Sequence, residues 1–185
     1  MPATNDNPFL QLFTTPQPAS LGPDRRSGVM DKEDLIQKIE AIAEISGLAD
    51  ERRALVRSIL LLWHDHLDAS HELSQGIASA DGSFLHAMMH RREPDYLNSK
   101  YWWRRVGNHP AFATISKRAG EFLDLNKAGD VAKQLLPAGF WDACAFVDAC
   151  EAAEKISDDL CVKILRELQR IEFQVMLESF VRDDK

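Results

Sequence analysis

Between Asp50 and Gly76 the chain carries apolar residues at Leu55, Ile59, Leu62, Ala69 and Leu73, a spacing that places them on one face of a helix. Asp50 supplies a capping side chain at the start and Gly76 a stop signal at the end. Its first half is also apolar off that face, through Leu60, Leu61, Trp63 and Leu67. A helix that is apolar nearly all round must be covered by protein on every side, so the pattern predicts a long buried central helix with other helices packed around it.

The rest of the chain reads in the same period. Asp31 caps a helix carrying Leu35, Ile39, Ile42 and Ile45 and closed by Gly47. A short helix follows Asp81-Gly82-Ser83, with Ser83 as its cap, and ends near Glu93 because Pro94 disfavours helical geometry in the residue before it. Asn98 or Ser99 starts another, running from Tyr101 to Val106 with Gly107 as its stop. Residues 116–125, 141–153 and 158–182 continue the helical pattern, and no segment alternates with a strand period. The expected fold is all-α, a single compact irregular helical domain over residues 30–185. Residues 1–29 hold five of the eight prolines among many Ser, Thr, Asn and Asp, and read as a disordered leader.

Composition excludes several functions. The net charge of −7 and the lack of a basic segment argue against nucleic acid as a partner. The longest apolar run, residues 59–63, is far short of the ~20 residues of a membrane span, and no secretory signal opens the chain. Three cysteines without C-x-x-C spacing, Cys144, Cys150 and Cys161, fit reduced thiols and a cytoplasmic setting.

All six histidines fall between His64 and His109. On one continuous helix His64, Asp68, His71 and Gln75 would share an arc of roughly 60°, at about 100° per residue. His66 lies on the core stripe and reads as a hydrogen-bonded structural histidine. His86, His90 and Glu93 form a second stripe at i, i+4 and i+7, and an i, i+4 histidine pair is a chelating geometry. Facing one another, the stripes supply His64, His71, His86, His90 and Glu93 as candidate ligands for a divalent metal, zinc or manganese by donor type, with iron also compatible. Asp68 is the candidate catalytic base of a metal-assisted hydrolysis. A metalloprotease is excluded, because Ala87 stands where an H-E-x-x-H motif needs its glutamate. Serine catalysis is unsupported, since no serine lies in a G-x-S-x-G context.

From Arg91 to Arg105 five cations, Arg91, Arg92, Lys100, Arg104 and Arg105, interleave with Tyr96, Tyr101, Trp102 and Trp103. Arg91, Arg92, Tyr101, Arg104 and Arg105 are therefore candidate ligands for a small anionic molecule, aided by a helix N-terminus near Asn98. The alternative pairs the arginines with Glu93, Asp95, Asp65 and Asp68 to tie loops together. On that alternative the protein is a non-catalytic scaffold whose His, Asp and Arg residues fix helix packing.

Two resemblances attach to these motifs. His64-Asp65 after an aliphatic run resembles the metal-binding pair of HD-domain phosphohydrolases, but that family's pattern needs an upstream histidine and none precedes His64. The blocks Trp63-His64-Asp65-His66-Leu67-Asp68 with His71, Asp81-Gly82-Ser83 with His86 and Met88, His90-Arg91-Arg92-Glu93-Pro94-Asp95, and Tyr101-Trp102-Trp103-Arg104-Arg105-Val106-Gly107 with His109-Pro110 resemble an uncharacterised family of small soluble helical proteins. Phe140-Trp141-Asp142 and Ala145-Phe146-Val147-Asp148 resemble that family's C-terminal pattern. The resemblance covers roughly residues 55–175 and implies one coherent domain with residues 1–30 as an addition, but no activity.

Overall fold

The computed structural model describes residues 7–155 and 159–182, which form ten α-helices, one 3-10 turn (Pro137–Gly139) and no strand. The helices are α1 (Pro8–Leu12), α2 (Lys32–Ser46), α3 (Asp50–Trp63), α4 (Leu67–Gln75), α5 (Ala80–Arg92), α6 (Tyr96–Val106), α7 (Ala111–Leu125), α8 (Gly129–Leu135), α9 (Ala143–Glu154) and α10 (Asp159–Phe180). The all-α expectation holds. Residue 158, expected to open the last helix, lies outside the described residues. None of the described helices is long and apolar enough to cross a membrane, and Cys144 and Cys150 are free thiols.

Two helices form the centre. Along α3, Leu55, Val56 and every residue from Ser58 to Trp63 are buried, and α5 is buried without interruption from Gly82 to Arg92 because α3, α4 and α6 all pack on it. Gly82 lets the loop between α4 and α5 close onto the first turn of α5: a Cβ there would lie 2.2 Å from the Ile77 carbonyl oxygen. Ser79, rather than Ser83, caps α5, accepting from the Gly82 N–H, and Ser83 is inside the helix. Asp95, rather than Asn98 or Ser99, caps α6 by accepting from the Asn98 N–H.

The single long helix expected from Asp50 to Gly76 is broken at residues 64–66. Asp65 adopts a left-handed conformation, φ 66°. The His66 N–H then returns to the Leu61 carbonyl at 2.9 Å and the Asp65 N–H to Leu62 at 3.2 Å, the paired bonds of a Schellman stop. Glycine usually occupies that position, and Asp is one of the few other residues that tolerates it. Here two arginines hold the turn. Arg92 places Nη2 2.8 Å from Asp65 Oδ1, and Arg26 places Nε 2.8 Å from Asp65 Oδ2. The same guanidiniums donate to the last carbonyls of α3, Arg92 to Leu62 beside its bond from the Asp65 N–H and Arg26 to Trp63. Ser70 Oγ donates to the Ser58 carbonyl at 2.9 Å and fixes α4 against α3.

Residues 7–29, expected as a disordered leader, lie as a strap along these helices. Phe9 and Ala19 are buried, and Phe13 stacks on Trp63 with ring centres 4.0 Å apart. The prolines of this segment have no N–H to donate, but their carbonyls and those of their neighbours remain acceptors. They are met by side chains from elsewhere: Gln169 donates to Ala19 and Ser20, Arg166 to Pro18 and Ala19, and Arg92 to Ser20 and Gly22. Composition registers the missing donors within the segment and not the partners supplied by the helices.

A second buried pair ties α5 to α10. Arg91 bonds Glu172 at 2.6 Å and lies over the Phe146 ring, while the Trp141 indole N–H donates to the other Glu172 oxygen at 3.1 Å. Burial raises the Glu172 pKa, and the Arg91 charge opposes that rise.

The Asp65 turn generates a stability prediction. Asp65→Asn retains a residue that tolerates positive φ yet leaves Arg26 and the fully buried Arg92 without a counter-charge. It should cost about 3 kcal/mol or more in urea unfolding, the range for breaking a buried pair. A loss under about 1 kcal/mol would show that backbone conformation, not the ion pair, fixes the break.

Candidate functional site

Because the helix breaks, its histidines part company. His64 stays at the end of α3 beneath the strap, whereas the new direction of α4 carries His71 to the side of α5 that bears His86 and His90. Candidate ligand atoms of His71, His86 and His90 all lie within 4.8 Å of one another. The His86 and His90 rings stack with centres 4.6 Å apart, and His71 stands 4.8 Å from His86 and 4.9 Å from His90. One turn further along, Glu93 sets Oε2 3.3 Å from His90 Nδ1 and Oε1 3.7 Å from His71 Nδ1. Asn98 of α6 brings its amide nitrogen to 3.1 Å from His90 Nε2. Trp102, one turn beyond Asn98, stacks on His86 with centres 4.0 Å apart and planes at 20°.

Within this group His86 is exceptional. It is buried, and neither ring nitrogen has a hydrogen-bond partner. Burial first, then the neighbouring His90 and His71, lowers its pKa to about 4, so it is a neutral base with free lone-pair capacity at pH 7. Burial also lowers the pKa of His90, which Asp95 partly counters, and raises that of Glu93, helped by Asp68.

Glu93 is also where the cluster meets solvent. It lines a cleft of about 440 Å³ together with Asp65, His66, Asp68 and the strap-side residues Arg25 and Lys32. Asp68, the candidate base, is exposed on that wall.

The remaining candidates lie elsewhere. His64 is not with the other ligands: its Nδ1 accepts from the Met30 N–H at 3.0 Å, and its Nε2 donates to the Leu12 carbonyl at 2.8 Å. Both nitrogens are committed to the strap. His66 lies close by, its Nε2 2.9 Å from the Met30 carbonyl oxygen, the structural role expected of it. His109 Nε2 pairs with Asp81 at 2.9 Å while Nδ1 accepts from the Ala111 N–H.

The arginine segment does not assemble into one anion pocket. Arg91 and Arg92 are fully buried in the ion pairs of α10 and Asp65, so the loop-tying alternative applies to them, although only Arg92 takes one of its expected partners. Arg104 and Tyr101 are exposed, and Arg105 lies over the Trp102 and Tyr101 rings. The expected anion-binding N-terminus near Asn98 is internal to α6, whose true start is occupied by the Asp95 carboxylate.

Asn98 and Arg25 are the site residues that sequence reasoning passed over as functional side chains. Asn98 is one helical turn from Trp102, and that i, i+4 pairing was available as a signal. Arg25 reaches the cleft through the strap's tertiary path and Lys32 from the start of α2, placements for which the sequence holds no local signal.

A pH dependence follows from His64. Its pKa is lowered by burial, and protonating Nδ1 would break the Met30 bond. A folded pKa below 6.5 means that the stabilisation is complete above pH 6.5 and is lost as pH falls through the window beneath it. His64→Phe should therefore cost about 2 kcal/mol at pH 8, where two backbone groups lose partners, and less at pH 5. Urea titrations of both proteins at the two pH values check this; a deficit that is constant or grows on acidification would contradict it.

No family model, curated protein or solved structure matches this chain.

Proposed function

We propose that the protein binds a divalent transition metal through His71, His86 and His90, with Glu93 as the fourth donor, and that the adjoining cleft takes a small anionic molecule. The observation that carries the reading is His86: a buried imidazole with two unpartnered nitrogens, beside two further imidazoles and a carboxylate. In a tetrahedral site with metal–nitrogen bonds of 2.0–2.1 Å, donors stand roughly 3.3 Å apart. Drawing the three rings together from within 4.8 Å calls for side-chain rotation rather than rearranged helices. With Glu93 as a donor beside Nδ1, His90 would meet the ion through Nδ1, and Asn98 at the Nε2 edge, its amide turned to accept from Nε2–H, would supply the outer hydrogen bond that orients a ligating imidazole.

Three nitrogens and one oxygen, without thiolate, suit zinc, manganese or iron. Glu93 is the donor that lines the cleft, so a ligand or water would enter on its side. A metal-dependent hydrolase is the enzymatic form of this reading. Asp68 would then be the base for a metal-bound water, and the ion would supply the charge that acidifies it. Cys144 and Cys150 as reduced thiols fit a cytoplasmic setting, and the volume of the cleft suits a small ligand.

The competing scaffold reading draws on real features, since Asp65, Arg26, Arg92, Arg91 and Glu172 do form buried polar networks. Those networks show what a structural role looks like here. Arg92 distributes its donors over Asp65, Ser20, Gly22 and Leu62, and Arg91, with Nε and Nη1 unpartnered, still bonds Glu172 through Nη2, whereas neither nitrogen of His86 has a hydrogen-bond partner. A packing network gains nothing from a buried base left unsatisfied.

Elemental analysis by inductively coupled plasma mass spectrometry on untagged protein tests the proposal. Near-stoichiometric metal, lost in His86→Ala/His90→Ala, is expected. The metal-free variant should unfold within about 1 kcal/mol of the metal-free parent, because the deleted rings leave few partners orphaned. Absence of metal even after addition of zinc or manganese, or a loss of about 2 kcal/mol or more per ring, would favour the structural network.

A further inference from the structure

The segment entering α7 and the turn after α8 line a cavity of about 610 Å³, larger than the cleft at Glu93. Its walls are Pro110, Phe112, Phe140 and Trp141. Phe112 packs on Phe84 and Trp141 on Phe146, so both rings are anchored to the core. The Trp141 backbone N–H donates to Ser116 Oγ at 2.8 Å and its indole N–H to Glu172, which fixes the indole plane. Phe140 is different: it is 73% exposed, delivered to the rim by two successive residues of positive φ, Ala138 (52°) and Gly139 (84°).

The polar part of the lining is equally specific. Ser116 and His109 are already satisfied, by Phe112 and Trp141 and by Asp81 and Ala111. Lys117 and Asn108 have no hydrogen bond or ion pair among the described residues, and no carboxylate lines the cavity. In a chain of net charge −7, an aromatic cavity with one cation and no anion is a local reversal of sign. Its volume falls within the range of small-molecule sites.

We propose that this cavity binds a small molecule with a flat apolar body and a single carboxylate. The body lies between Phe112, Phe140 and Trp141, and the carboxylate meets the Lys117 ammonium and the Asn108 amide. The site shares no residue with the histidine cluster and is independent of the metal reading.

Isothermal titration calorimetry of the full chain with 3-phenylpropanoate, and with 3-phenylpropanol as the uncharged counterpart, tests it. The carboxylate should bind at one site with Kd on the order of 1 mM or tighter, and the alcohol about tenfold more weakly. Lys117→Gln should weaken the carboxylate about tenfold and leave the alcohol unchanged, while Phe140→Ala should weaken both. Both side chains are exposed, so circular dichroism should be unaltered. His86→Ala/His90→Ala should bind the carboxylate as the parent does. No saturable binding below about 10 mM, equal binding of acid and alcohol, or indifference to either substitution would overturn the proposal.

Discussion

One carboxylate, Asp65, holds the architecture together. A single residue in a left-handed conformation ends α3, and the guanidiniums of Arg26 and Arg92 converge on its side chain while donating to the last carbonyls of the same helix. The energetics are interdependent. An arginine at 0% exposure, as Arg92 is, would be prohibitively costly without its counter-charge, and free helix-end carbonyls would be costly without donors. Burial pushes the Asp65 pKa upward, but the two arginines outweigh it and hold the carboxyl below its ordinary value. The strap joins the same knot through Ser20, Gly22 and Arg26.

Against that economy the histidine cluster stands out. The protein spreads the donors of buried Arg92 over several acceptors, pins His64 at both nitrogens, and pairs His109 with Asp81, while Arg91 keeps its bonds at Nη2 and leaves Nε and Nη1 unpartnered. His86 alone among the buried imidazoles is left without a partner, pressed between His90 and Trp102. Stacking recovers dispersion energy but not the lost hydrogen bonds with water. A divalent cation with empty coordination positions is a partner that the three imidazoles and the Glu93 carboxylate can share.

The sequence carried the parts of this that repeat with helical period. Leu35 and Ile39 on the buried face of α2, the His86, His90, Glu93 stripe along α5 and its cap, and the Gly107 stop of α6 were legible from local spacing, whereas Ile45, expected on that face of α2, is 89% exposed. What escaped was non-local. The break at Asp65 carries no glycine or proline, and it exists because Arg26, 39 residues earlier, and Arg92, 27 residues later, meet there. The same two contacts explain three departures at once: the divided long helix, the ordered strap and the separation of His64 from His71. Arg91 and Arg92 read as an exposed anion site because charge is visible in sequence while burial against Glu172 and Asp65 is not.

The break is also what makes a three-histidine cluster possible. On an unbroken helix His64 and His71 lie along one line, seven residues or about 10 Å apart, too far for both to reach one ion on α5. Turning the chain at Asp65 releases His64 to hold the strap and sends α4 across α5, so that His71 completes the pair already chelation-spaced there. Arg92, which holds the turn, directly precedes Glu93, which joins the cluster to the cleft. The stop of α3, the path of the strap and the placement of the donor set are therefore consequences of one ion-paired turn, and the cleft between strap and α4 takes its shape from the same residues that position the histidines.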